Sequence, residues 1–205
     1  MYHIFLYYKL IKIADPAKEV PLHKEVGRAL GLYGRILIGK DGINGTVGGS
    51  QAALELYRQY MNSHPRFKKI DFKESVSDIL PFPRLTVKAR REIITTDADN
   101  EFNLCHRARH ISRDTFHNWL VRGEDIVILD MRNDYEWAIG HFVNSVRPPM
   151  KYFRDLKDNM DFYDQFRGQK IVMFCTGGIR CEPASAYFIA RGFDPKDIYQ
   201  LKGGI

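Results

Sequence analysis

Ile171-Val172-Met173-Phe174-Cys175-Thr176-Gly177-Gly178-Ile179-Arg180 is the stretch from which the rest of the chain is read. The first four residues form a short apolar run of strand type. Beyond Pro183, Ala184 to Ile189 is a helix-forming run of small and apolar residues. A cysteine therefore ends a buried strand, a glycine-bearing loop follows, and a helix begins past it. Backbone N–H groups of such a loop converge with the helix N-terminus on an anion carried by the sulfur. A thiol placed there loses its proton more easily than a free cysteine, and the thiolate is the nucleophile. Arg180 adds a permanent positive charge. An inert core thiol would sit in an apolar pocket, which two consecutive glycines and an arginine do not make. Cys175 is read as the chemical centre, and Thr176, Gly177, Gly178, Ile179 and Arg180 as the anion-binding loop around it.

The spacing narrows the class. Cysteine-based phosphatases place five residues between cysteine and arginine, whereas four intervene here, so the pocket suits a sulfur-sized substituent better than a phosphoryl group. That loop length resembles the rhodaneses. Asp130-Met131-Arg132, Glu136 and Gly140-His141 resemble the early rhodanese signature, and Tyr199-Gln200-Leu201-Lys202-Gly203-Gly204-Ile205 resembles the last strand and turn of that fold. Together with Cys181-Glu182, Ala184-Ser185 and the upstream Asp41-Gly42-Ile43-Asn44-Gly45-Thr46, the chain resembles the bacterial rhodanese-fold tRNA uridine hydroxylases along nearly its whole length. The resemblance implies oxygen-dependent formation of 5-hydroxyuridine at the wobble position, with tRNA as partner and molecular oxygen as co-substrate. It also implies a C-terminal segment beyond the position of Ile205, which this chain is expected to lack. Pro183 stands where the family pattern calls for a charged residue, and a first helical turn tolerates proline.

Upstream of the loop, the order of elements divides the chain. Tyr2 to Ile13 reads as a strand, Ala17 to Leu30 as a helix on Val20, Leu22, Val26, Ala29 and Leu30, and Arg35–Ile38 and Ile43–Val47 as a hairpin around Lys40-Asp41-Gly42. Ser50 caps a second helix with Ala53, Leu54, Leu56, Tyr57, Tyr60 and Met61 on its apolar face, and Leu85–Lys88 is a further strand. The order β-α-β-β-α-β predicts a ferredoxin-like α+β sandwich, an antiparallel sheet under two helices, over residues 1–95. Residues 96–110 read as a polar linker. From Ser112 helices and strands alternate, which predicts a rhodanese-like α/β domain with a parallel sheet over residues 111–205. Its ligand crevice lies beyond the carboxyl ends of the strands, where Asp130 and Cys175 both fall.

Charge separates the two parts. Residues 1–95 carry 16 Lys and Arg against 9 Asp and Glu, and residues 111–205 carry 13 of each. A basic domain joined to a neutral one suits a polyanionic substrate held by the first and worked on by the second. Lys40, Lys68, Lys69, Arg84, Lys88, Arg90 and Arg91 are the candidate RNA contacts, and Tyr7, Tyr8, Tyr33 and Phe82 the candidate stacking aromatics. Three cysteines argue against a disulfide framework and place the chain in a reducing cytoplasm. No apolar run reaches the length of a membrane span.

Other constellations carry less. Cys181 could resolve a sulfenate, accept a persulfide, or simply pack. Asp130, Arg132 and Glu136 suit acid–base work or, more simply, a salt-bridge network tying the strand end to the next helix. His106 and His110 share i, i+4 spacing beside Cys105 without a matching fourth ligand, so no metal centre is expected. No flavin or haem fingerprint is evident, and no resident cofactor is expected. A thiosulfate-type sulfurtransferase working through a Cys175 persulfide is the alternative reading. Neither composition nor motif speaks to oligomeric state.

Overall fold

A computed structural model describes residues 1–98 and 101–205, which divide into two units, Met1–Ile93 and Ile94–Ile205. In the first unit the order is β1 (Tyr2–Leu10), α1 (Pro16–Ala29), β2 (Tyr33–Gly39), β3 (Gly42–Gly49), α2 (Gln51–Ser63), β4 (Phe72–Ser77) and β5 (Leu85–Ala89). The strands form one sheet in the order β4-β1-β3-β2-β5. Helix α1 packs on β2 and β5, and α2 on β1 and β3. The core between helices and sheet is built from Phe5, Tyr7, Ile36, Ile38, Ile43, Val47, Leu54, Tyr57 and Met61.

Two expectations for this unit are corrected. The fourth strand of the sandwich is Phe72–Ser77, paired antiparallel with β1, while Leu85–Ala89 is a fifth strand running parallel to β2 at the opposite edge. Strand β4 escaped the sequence reading because it is a half-exposed edge strand with only Phe72 and Val76 apolar, so it shows no strong alternation. The helix faces also shift. Leu22 and Leu56 point to solvent, and the seam of α1 runs through Glu19, His23 and Gly27. Glu19 holds that place because Arg66 donates to it, and Gly27 because a Cβ there would meet Leu85 Cδ2 at 2.5 Å.

Gly34 shows how tightly the sheet is built. Its φ of +136° is a region side chains avoid, and an added Cβ would lie 2.1 Å from the Thr46 carbonyl oxygen and 2.8 Å from Val47 Cα. Both obstacles are backbone. Gly34→Ala is expected to cost at least about 2 kcal/mol, read as a lowered urea midpoint of the first unit.

The second unit follows the alternation expected of it. Strand β6 (Arg109–Ile111), α3 (Arg113–Val121), β7 (Val127–Asp130), α4 (Asp134–Ile139), β8 (Ser145–Val146), α5 (Met160–Asp164), β9 (Ile171–Phe174), α6 (Cys181–Ala190) and β10 (Ile198–Leu201) build an all-parallel sheet ordered β6-β10-β9-β7-β8. Both faces are covered, which is why β9 is apolar at every position. Ile171 and Met173 enter one core with Tyr163 and Phe188, while Val172 and Phe174 enter the other with Phe116 and Tyr199. Helix α6 is buried from Cys181 to Phe188.

The stretch read as a linker, residues 96–110, does not stand outside this unit. Arg109–Ile111 pair with β10 as an edge strand, Ala108 N–H donates to Ser185 Oγ, and Ala98 and Ala108 lie in the core. Its polar composition hid a strand only three residues long. Residues 99 and 100 of that stretch lie outside the described residues.

Candidate active site

Strand β9 delivers Cys175 to the carboxyl edge of the sheet, and the loop 175–180 turns back toward α6. Gly178, at φ +90°, allows the tight turn, and its N–H donates to Cys175 Sγ at 3.1 Å. The sulfur is wholly buried, and Thr176 is the only exposed residue of the loop. Burial alone would push the Cys175 thiol up. Hydrogen bonding from Cys181, the Arg180 charge and the backbone N–H groups of Arg180 and Gly177 outweigh it, and the pKa comes down to about 5. At neutral pH Cys175 is a thiolate.

Cys181 takes the complementary state. Burial, then the hydrogen bond to Cys175 and its negative charge, hold the Cys181 thiol well above the ordinary range, so it stays protonated and donates. The loop 176–180 folds back so that Cys181, the first residue of α6, comes within reach of Cys175. Cys181→Ala is expected to move the Cys175 titration upward, measured as thiolate absorbance against pH.

Glu136 is the residue that locks the loop. Arg180 Nη1 and Nη2 donate to its two carboxylate oxygens at 2.6 and 2.7 Å, a fork-to-fork pair. Thr176 Oγ1 donates to the same carboxylate and accepts from Arg180 Nη2 at 2.9 Å. Burial acts upward on Glu136, but the hydrogen bonds from Arg180 and Thr176 bring its pKa down to about 2. Its place on α4 is set by the Asn133 N–H, which donates to Glu136 Oε2 at 3.1 Å. By its place in the sequence Glu136 is expected in a local network at the end of β7. The structure instead carries it 44 residues along the chain to Arg180.

Asp130 and Arg132 form the local network expected of them. Arg132 Nε and Nη2 donate to the Asp130 carboxylate at 2.8 and 2.6 Å, and Nη2 also reaches the Gly140 carbonyl at 2.7 Å. Both side chains are buried, so the pair ties the end of β7 to the end of α4 and thereby positions Glu136. The base of the loop is held from the other side. Ile205 N–H donates to the Cys175 carbonyl at 3.0 Å, and a Cβ on Gly204 (φ +72°) would lie 2.0 Å from that same oxygen. Only glycine lets the chain pass there.

The remaining candidates sort by what they touch. Arg107 Nε and His110 Nε2 lie 2.7 and 3.3 Å from the buried Glu182 carboxylate, and Arg109 lies over the Tyr199 ring. In the first unit Lys40, Lys68, Lys69, Arg84, Lys88, Arg90 and Arg91 are all exposed. Tyr7 is withdrawn from the stacking set, because it is buried and its hydroxyl pairs with Tyr57 at 2.6 Å.

A low-pKa cysteine at the carboxyl edge of a doubly covered parallel sheet, with a glycine loop and an ion-paired arginine around it, defines a rhodanese-type centre. Residues 112–205 match the family described as the rhodanese-like domain, and residues 2–93 match the UPF0176 acylphosphatase like domain. Both matches lie in this one chain, the acylphosphatase like domain first and the rhodanese-like domain after it. Relatives named tRNA uridine(34) hydroxylase match it from end to end: 36% identical in Bacillus velezensis, 37% in Cytophaga hutchinsonii and 39% in Staphylococcus saprophyticus. Each alignment covers 100% of this chain and 63%, 64% and 64% of the relative, so the chain spans just under two thirds of their length. No helix among the described residues is long and apolar enough to cross a membrane.

Proposed function

We propose that this chain hydroxylates the wobble uridine of tRNA at C5, in the cytoplasm, with Cys175 as the reacting thiolate. The observation that carries the reading is the Cys175 environment: a buried sulfur held ionised at neutral pH by donors already in place. Such a site spends no reorganisation energy in holding the attacking sulfur ionised. Molecular oxygen is the co-substrate. One oxygen atom enters C5 and the other leaves as water, with two electrons drawn from an external reductant. The excess of positive charge in residues 1–95 supports tRNA as the partner.

The test is nucleoside mass spectrometry of tRNA from cells lacking the protein, complemented with wild type or Cys175→Ser. Return of 5-hydroxyuridine with the wild type alone supports the reading. Unchanged 5-hydroxyuridine in the deleted cells, with no redundant route to it, refutes it. The sulfurtransferase alternative draws on the same cradle, which would hold a persulfide sulfur equally well. Thiosulfate-to-cyanide turnover independent of RNA is its signature.

A further inference from the structure

On the face of the first sheet turned away from α1 and α2, side chains stand in two rows set by the strand register. Thr46, Arg35 and Thr86 form one row across β3, β2 and β5, and Asn44, Leu37 and Lys88 form the next. The segment before β5 rises beside them as Phe82-Pro83-Arg84, anchored where Gly34 N–H donates to the Arg84 carbonyl at 3.1 Å. All of these side chains except Lys88 line a cavity of about 440 Å³. Pockets for small organic groups run from about 300 to 1,000 Å³.

What marks the cavity is unspent bonding capacity. Among the described residues, no carboxylate pairs with Arg35 or Arg84, and the side chains of Asn44, Thr46 and Thr86 make no hydrogen bond. Elsewhere in the same unit arginines are engaged: Arg58 with Glu74, and Arg66 with Glu19. Two free guanidinium groups, an aromatic ring and three neutral polar side chains around one hollow match phosphate, base face and base edge respectively. A sheet surface with a ring at its border is also a platform on which single-stranded bases lie.

We propose that this cavity binds one nucleotide of single-stranded RNA, its phosphate on Arg35 and Arg84, its base against Phe82, and its polar edge toward Asn44 and Thr46. The inference rests on the reading of the chain as an RNA-modifying enzyme. It gives the basic unit one defined nucleotide site where the sequence offered only scattered cations.

The test is fluorescence anisotropy of the full chain with a fluorescein-labelled single-stranded oligouridylate across a salt series. Arg35→Ala/Arg84→Ala is expected to weaken binding at least about tenfold and to lower the slope of log K against log salt by about 0.7, the release from one phosphate. Phe82→Ala is expected to weaken binding about tenfold with the slope unchanged. Lys68→Ala/Lys69→Ala, away from the cavity, serves as the competing location. Arg35→Gln/Arg84→Gln repeats the charge test in side chains of similar length, and thermal melts confirm folding. Equal losses in the cavity and lysine variants overturn the inference. RNA binding that ignores all the cavity variants overturns it while leaving the proposed function standing. A wild type that binds no RNA overturns both.

Discussion

Serine in place of Cys175 is expected to abolish 5-hydroxyuridine formation, by at least three orders of magnitude on the order usual for loss of a nucleophile, while RNA binding is retained. The hydroxyl is nearly isosteric, so the fold survives, but it does not ionise in the range where Cys175 is a thiolate. The same variant removes the low-pH step from the thiolate absorbance titration. In the wild type that step is expected near pH 5: the thiolate signal is complete above it and lost as the pH falls through it. Loss of RNA binding together with activity would show that Cys175 holds the architecture of the site rather than its chemistry.

Truncation of Glu136 carries the second large effect. With Glu136→Ala, Arg180, whose side chain is 12% exposed in the wild type, loses both carboxylate oxygens that hold it and keeps only Thr176 and the Cys175 thiolate beside it. Arg180 is then free to leave the sulfur, and the Cys175 titration is expected to move upward. Modification activity at neutral pH should fall about 10- to 100-fold, the range seen when a supporting partner of a reactive group is removed. Glu136→Gln keeps one acceptor for the guanidinium and is expected to fall between wild type and alanine. A purely structural role would lower stability in both variants without moving the Cys175 titration.

Glu136 also leaves a mark on stability against pH. Its folded pKa of about 2 lies below the usual 4.5, so its contribution is complete above about 4.5 and drains away as the pH falls toward 2. Acid melts of Glu136→Gln should lack that component. An acid limb identical to wild type would place the ion pair outside the stability of the fold.

Much of the second unit was legible because its signals are local. The run Ile171–Phe174, two glycines, Arg180 and a helix-forming run past Pro183 lie within twenty residues of one another, and each acts on its own stretch of backbone. The loop, the protonation sense of Cys175 and the parallel order of strands follow from that. The first unit was read less well for the same reason. Edge strand β4 buries too little to impose a pattern, and Leu22 and Leu56 fit the helical period yet face solvent. Which stripe of a helix is covered depends on the strands beneath it, β2 and β5 for α1 and β1 and β3 for α2, most of them far along the chain.

The amino-acid order is enough to say that a reactive cysteine heads a glycine loop between a buried strand and a helix, and that the excess of basic over acidic residues lies in the first part of the chain. Contacts across the fold settle the rest. Glu136 clamps Arg180, Cys181 donates to Cys175, Gly204 makes room for the Cys175 carbonyl, and Arg35 and Arg84 share a hollow. Propensity and periodicity act over one or two turns of backbone. Apart from Cys175 with Cys181, which one loop joins, these pairings join residues that only strand order and register bring within reach, so they exist once the sheets have formed and not before.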